Sequence, residues 1–278
     1  MKPLKSTIIC LSVLLLPLLP SVASADDVIL EPVWVEEEKS LYWDLSLGVN
    51  VYQHQDIYAG FDSDMTGFNF NLNLSVEYKN FYLQAERSQI PNGANLGYHL
   101  YERINYGIDL VAGVYQPGTA GDERTDIPHE QRHHRREADL SAGVRFYGGN
   151  DYVDYYLDVV RDISDTHSGW IARSMVSTDI PAGNWEVRAG LGVDIYFSKT
   201  ANYTFGVLDS EVNPSRPAYQ PGTTAGYYFA IHADYPLSAN WVFDAGFLVG
   251  GYSDNVADSP IVNRQYRTSS FVGLRYVF

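Results

Sequence analysis

The run Trp185-Glu186-Val187-Arg188-Ala189-Gly190-Leu191-Gly192-Val193-Asp194-Ile195-Tyr196-Phe197 sorts into two sets, apolar at every odd position and charged, small or tyrosine at every even one. A helix would scatter both sets around its circumference, whereas an extended strand gives each set its own face. The same period of two runs through Tyr42 to Tyr52, where Trp43, Leu45, Leu47, Val49 and Val51 alternate with Asp44, Ser46, Gly48 and Asn50. It recurs in Phe68 to Tyr78 and Ala225 to Tyr235, and less regularly in 81–87, 96–101, 106–115, 139–148, 152–161, 169–178 and 241–252. With Tyr266 to Phe278 the count is twelve, an even number that returns both chain ends to one side; the brevity of the third and fourth segments leaves ten as the fallback.

The connections fall into two lengths that alternate along the chain. Short ones (Lys79-Asn80, 102–105, 149–151, 181–184 and 238–240) are rich in turn-forming residues, and long ones span 53–66, 117–137, 198–221 and 253–265. These features predict an all-β, antiparallel transmembrane β-barrel of the outer membrane, short turns toward the periplasm and long loops outside. A secreted sandwich also alternates. The barrel is favoured by aromatics near segment ends (Trp43, Tyr78, Trp170, Trp185, Tyr235, Trp241 and Tyr276), by charges on the opposite faces, and by the chain end Gly273-Leu274-Arg275-Tyr276-Val277-Phe278. There Gly273, Tyr276 and Phe278 are spaced like the signal read by the barrel-insertion machinery.

Met1 to Ala25 reads as a signal peptide: Lys2 and Lys5 precede an apolar stretch, Ile8 to Leu19, and Ala23-Ser24-Ala25 is a small-residue cleavage site. Residues 26–40 then form a periplasmic tail and 41–278 the barrel. The one cysteine, Cys10, lies in the leader, so the processed chain is expected to have no disulfide, Cys-ligated metal or Cys nucleophile. Among 278 residues there are 19 basic and 34 acidic ones, a formal charge of −15, which excludes nucleic acid as a partner. Nothing in the residue pattern asks for a cofactor.

Inward positions hold the charges Asp44, Glu77, Asp109, Asp139, Asp154, Asp158, Glu186, Asp194, Asp234 and Asp244, with Arg145, Arg161, Arg173, Arg188 and Arg275. They read either as a cation-favouring pore lining or as a salt-bridged, partly filled interior, and Tyr156, Tyr196 and Tyr228 on the same face favour the filled one. His129-Glu130-Gln131-Arg132-His133 matches the zinc-protease pattern. It lies in the longest loop without apolar residues to seat a helix, and Arg132, Arg135 and Arg136 oppose metal binding. A basic patch toward lipopolysaccharide, or adventitious metal binding, suits it better. Asp165-Thr166-His167-Ser168-Gly169 has hydrolase residue types, but adjacent His167 and Ser168 would point to opposite faces of a strand, so a tight outer turn is expected and no enzyme. In the tail, Val33, Trp34, Val35, Glu36, Glu37 and Glu38 form an acidic, strand-like strip suited to docking a basic periplasmic protein.

Several stretches resemble the MipA/OmpV outer-membrane proteins. Tyr203-Thr204-Phe205-Gly206-Val207 is similar to the family's Tyr-x-Gly-Val element and Asp258-Ser259-Pro260-Ile261-Val262 to its Asp-Ser-Pro-hydrophobic-Val loop; Tyr219, Asn240-Trp241, Gln55-Asp56-Ile57-Tyr58, Arg136 and the 162–169 segment with its His-x-Gly sit at family-like spacing. Leu208 and Pro214-Ser215-Arg216-Pro217 depart from the family, which commonly has a small residue and Ser-Gly-Leu there, so this loop is expected to make contacts of its own. The resemblance implies a scaffold for a lytic transglycosylase and a bifunctional penicillin-binding protein. A narrow channel for small solutes is the alternative, and an outer-membrane hydrolase the third.

Overall fold

The computed structural model describes residues 41–58, 65–86, 93–119 and 134–278. The leader, the tail and the His129–His133 stretch lie outside the described residues. Twelve antiparallel strands close into one ring: β1 (Tyr42–Gln55), β2 (Met65–Tyr78), β3 (Phe81–Glu86), β4 (Gly93–Glu102), β5 (Tyr106–Gly113), β6 (Ser141–Gly149), β7 (Asp154–Asp162), β8 (Trp170–Ala182), β9 (Trp185–Tyr196), β10 (Thr224–Pro236), β11 (Trp241–Tyr252) and β12 (Tyr266–Val277). Each pairs with its chain neighbours, and β12 returns to β1 from Ser46↔Val277 to Gln55↔Thr268. The two short segments are full members, so the ten-strand fallback falls away.

The period of two becomes an inside and an outside. On β2 the outward Phe68 and Phe70 are 86 % and 81 % exposed while the inward Asn71 is 2 % exposed. Left in water such a band would be unfavourable, since each large apolar side chain gains about 1.5–3 kcal/mol on leaving it. Lipid removes that cost, and closure removes the edges that lipid cannot satisfy. At the short-turn end an aromatic girdle runs round the rim: Trp185 packs 4.9 Å from Tyr235 and 5.9 Å from Phe243, Trp241 lies 5.3 Å from Tyr276, and Tyr276 lies 5.0 Å from Phe278.

Inside, large rings lie across glycines of the neighbouring strand. Tyr82 faces Gly97, Tyr147 faces Gly107, Tyr228 faces Gly192 and Phe271 faces Gly246, each a direct register pair. A Cβ at Gly97 or Gly192 would fall within the opposing tyrosine ring. Only a residue without a side chain lets these rings lie flat on the wall.

At the long-loop end the connections fold inward as a cap. Helix α1 (Ser198–Phe205) places Phe205 against Tyr58, Tyr196 and Tyr252, and a short helix, α2 (Asp254–Ala257), adds Val256 to the cluster with Ile57, Ile261 and Val262. Phe205, Ile57, Ile261 and Val256 are at most 2 % exposed. The loops are tied across the mouth by a backbone bridge between Tyr58 and Val262, by Ser259 Oγ donating to the Phe205 carbonyl at 2.5 Å, and by Tyr219 Oη donating to the Asn255 carbonyl at 2.7 Å.

Candidate functional site

Below the cap the barrel holds a cavity of about 800 Å³. Its mouth lies between two short turns, marked by Arg103, Ile104 and Asn105 on one side and Asn150 and Asp151 on the other; its inner end is marked by Tyr115, Asp158 and Arg173. Among the described residues the space therefore opens at the short-turn end and reaches inward to Tyr115, Asp158 and Arg173.

The floor is a network of paired charges. Arg145 binds Asp158 with both Nε and Nη2, at 2.7 and 2.8 Å, and Tyr115 Oη donates to the same carboxylate at 2.7 Å. Arg173 reaches Asp194 at 3.0 and 3.1 Å and donates to the Tyr115 carbonyl. Asp109 accepts from Tyr82 Oη at 2.9 Å and lies 2.9 Å from His99 Nδ1. Two-pronged guanidinium–carboxylate contacts fix geometry as well as charge, so the wall is preorganised. Arg145 and Arg173 also lie 5.1 and 5.2 Å from the Tyr156 and Tyr115 ring centres.

The structure places the predicted lumen charges as follows. Asp158 and Asp194 are buried in the floor, Glu77 and Asp154 line the cavity, and Arg188 joins them there while bonding Asp179 at 2.8 and 3.1 Å. Arg275 Nη2 meets Asp234 at 2.5 Å in the region of β10 and β12. Asp44 is exposed near the short-turn end of β1. Asp244 is fully buried opposite Asp234, and neither of its carboxylate oxygens has a hydrogen-bond partner among the described residues. Arg161 corrects the sequence reading: on β7 the inward positions are Tyr156, Asp158, Val160 and Asp162, so Arg161 faces outward, over its register partner Trp170 at 6.0 Å. Val160 takes the inward place instead, fully buried in the cap cluster.

The terminal residues Gly273, Tyr276 and Phe278 sit on the seam. Gly273 is paired with Asn50 and Asp244, Tyr276 belongs to the girdle, and the Phe278 N–H donates to the Leu45 carbonyl at 3.1 Å.

In the 162–169 segment, Asp162 accepts from the N–H groups of Ser164, His167 and Ser168, and Ser168 Oγ bonds Asp165. His167 points the other way, buried, 3.3 Å from Asp139 and 3.2 Å from Thr200 Oγ1, with the Gly169 N–H donating to its Nδ1. The imidazole is shut away from the cavity and works as a loop anchor. Asp139 also accepts from the Tyr115 and Gln116 N–H groups. Burial pushes its carboxyl up, but hydrogen bonds from His167, Ser141 and those two amides more than offset this and hold it below the ordinary range.

The loop whose sequence departs from the family supplies the cap's central ion pair. A 3-10 turn at Asp209–Glu211 presents Glu211 to Arg136, which also donates to the carbonyls of Tyr203 and Gly206. Sequence reasoning missed this pair, and it missed the apolar tips of the short turns, Ile104 and Tyr152, both strongly exposed.

A family model described as MltA-interacting protein MipA matches residues 47–278. The putative outer membrane protein YiaT of Escherichia coli (strain K12) is 23 % identical over 239 residues, covering 84 % of this chain and 91 % of that protein. The MltA-interacting protein of the same strain is 22 % identical over 240 residues, covering 84 % and 89 %. Among solved structures, the KdgM porin in complex with disordered oligogalacturonate aligns over 84 % of this chain and 99 % of its own, at 13 % identity and a TM-score of 0.43. The outer membrane channel DcaP of Acinetobacter baumannii aligns over 86 % and 97 %, at 6 % identity and a TM-score of 0.42.

Proposed function

The chain belongs to the MltA-interacting protein family, MipA, and on that premise we propose that this outer-membrane β-barrel is a scaffold, holding a murein-degrading lytic transglycosylase close to a bifunctional penicillin-binding synthase. Short turns of such barrels face the periplasm. The tips of those turns carry the proposal: Ile104 is fully exposed, Tyr152 is 79 % exposed and Leu237 56 %, where hydrophilic turn residues would be better solvated. Aromatic and aliphatic side chains standing out of a polar rim are the usual anchors of a protein interface. The strip Val33, Trp34, Val35, Glu36, Glu37 and Glu38 is proposed as a second docking element for the same partner. No residue acts as a catalyst in this reading.

A photo-crosslinking residue at Ile104 or Trp34, introduced in cells, tests it. The expected product is an adduct with a lytic transglycosylase, and none from the same probe at Val212, an exposed position at the long-loop end. Adducts lacking any wall enzyme at both periplasmic positions would overturn the scaffold proposal.

The cavity supports a second reading, a narrow channel for small solutes that the cap keeps shut. Planar-bilayer recording separates the two: stepwise openings that change when Asp194 or Asp234 is neutralised favour the channel, and silence favours the scaffold.

A further inference from the structure

At the long-loop end, the outer surface of β7, β8 and β9 carries two cations that the protein leaves unanswered. Arg161 ends the outward row of β7, exposed, its guanidinium 6.0 Å from the Trp170 ring centre. Trp170 opens β8, and its carbonyl accepts from the Phe197 N–H at 3.1 Å, so the ends of three strands lie side by side. Two residues beyond Phe197, Lys199 is exposed in the first turn of α1. It is the only lysine after Lys79 in the chain. Neither cation has an ion-pair partner among the described residues, whereas Arg145, Arg173, Arg188 and Arg275 each hold a carboxylate. The acids nearby in the chain are engaged: Asp162 points inward and accepts three N–H groups, and Asp165 bonds Ser168 Oγ. The first turn of α1 has no acidic residue.

The wall beneath these cations is apolar. Val159, Ala172 and Ile195 form one outward register row across the three strands, with the small Ala172 in the middle. Above it Trp170 and Phe197 are 46 % and 42 % exposed. Aromatic side chains at a barrel rim sit at headgroup level.

We propose that this rim binds a lipid whose headgroup carries phosphate. Arg161 meets the phosphate oxygens, Lys199 adds a second positive charge, and the acyl chains run down over Val159, Ala172 and Ile195. A guanidinium fits phosphate in two-pronged contacts, and basic side chains at headgroup level draw anionic lipid. The Trp170 ring steadies the guanidinium at the wall. On a chain of formal charge −15, most of the surface repels an anion, so a pair of unanswered cations fixes where one can approach. This site lies at the end opposite the proposed docking tips and does not rest on the scaffold reading.

Titration of the purified full chain in neutral detergent with diphosphoryl lipid A, read by native mass spectrometry, tests the proposal. The expected result is one tightly retained lipid per chain, at least tenfold weaker binding of fully dephosphorylated lipid A, and no displacement by inorganic phosphate in large excess. The double variant Arg161→Gln, Lys199→Gln is expected to weaken binding about tenfold or more, and Arg161→Lys to keep most of it. Lys79→Gln, which removes an exposed cation at the short-turn end, is expected to leave it unchanged. Heat-dependent gel mobility verifies folding of each variant, and Lys199→Gln alone, expected to weaken binding several-fold, serves if the double variant misfolds. Absence of a retained lipid, equal binding of the dephosphorylated lipid, displacement by inorganic phosphate, undiminished binding by the rim variants, or an equal loss in Lys79→Gln would each overturn it. The cross-links from Ile104 are read at the other end of the barrel, so either proposal can fail alone.

Discussion

Arg136 and Glu211, 75 residues apart in the chain, meet in a two-pronged ion pair whose bonds are both 2.8 Å and whose side chains are 1 % and 0 % exposed. They join the second and third long connections, 117–137 and 198–221, across the mouth of the barrel. Removing one member leaves the other charge buried and unpaired, a loss of about 3–5 kcal/mol. Glu211→Ala is therefore expected to speed amide hydrogen exchange at Arg136 and Val207, whose backbone N–H groups bond Thr119 and Tyr219, by 10²-fold or more. Exchange unchanged from the parent would show that the cap is held without this pair.

The cap should also weaken in acid. Burial pushes the carboxyls of Asp56, Asp139 and Glu211 up, and hydrogen bonds and nearby cations more than offset it, so all three lie below their ordinary range. A carboxylate depressed in the folded state contributes its full stabilisation above the unfolded value, about 4, and loses it as pH falls through the folded value. Amide protection in the cap, corrected for intrinsic exchange, is expected to be level from pH 7 to pH 5 and to fall progressively below pH 4. A level profile down to pH 3 would contradict this.

Gly97→Val and Gly192→Val test the packing of rings on glycine. Either Cβ would occupy the space of Tyr82 or Tyr228, and overpacking of this kind costs about 1–3 kcal/mol or more. The Gly97 variant should in addition free Asp109 from its Tyr82 bond. Both variants are expected to give less heat-modifiable barrel on refolding, with Gly183→Ala, at an open turn, as the milder comparison.

Asp244 carries the opposite expectation. Its carboxylate is fully buried, faces Asp234 in register and has no hydrogen-bond partner among the described residues. A neutral isostere removes an uncompensated charge, so Asp244→Asn should stabilise the barrel by about 1–3 kcal/mol. A thermal midpoint below that of the parent would show that the charge is satisfied by some other group.

The barrel wall was legible because each face of a strand meets a different medium, and a period of two in the residues records that directly. The rule fails where the medium changes. Val160 turns into the cap and Arg161 turns out beside Trp170, because at the outer rim the interior is apolar and the exterior borders water. The cap itself left no local trace. Its contacts join Arg136 to Glu211, Tyr58 to Val262 and Ser259 to Phe205, pairs far apart in chains of loop-like composition. The floor acids could be assigned to the interior from alternation, but their arginine partners depend on strand order and register. Ile104 stood in a turn too short to show a period, and the alternating segment 152–161 takes in Tyr152, whereas β7 begins at Asp154 and leaves it in the turn.

The seam between β1 and β12 joins the first strand of the ring to the last. Without β12 docked the circle cannot shut, because Ser46 to Gln55 of β1 would lose their partners and the Phe278 N–H its bond to the Leu45 carbonyl. Until then two unsatisfied borders must be kept out of hydrocarbon by something other than the protein itself. Membrane entry is thereby made contingent on both seam strands, so loss of either β1 or β12 forfeits the whole ring.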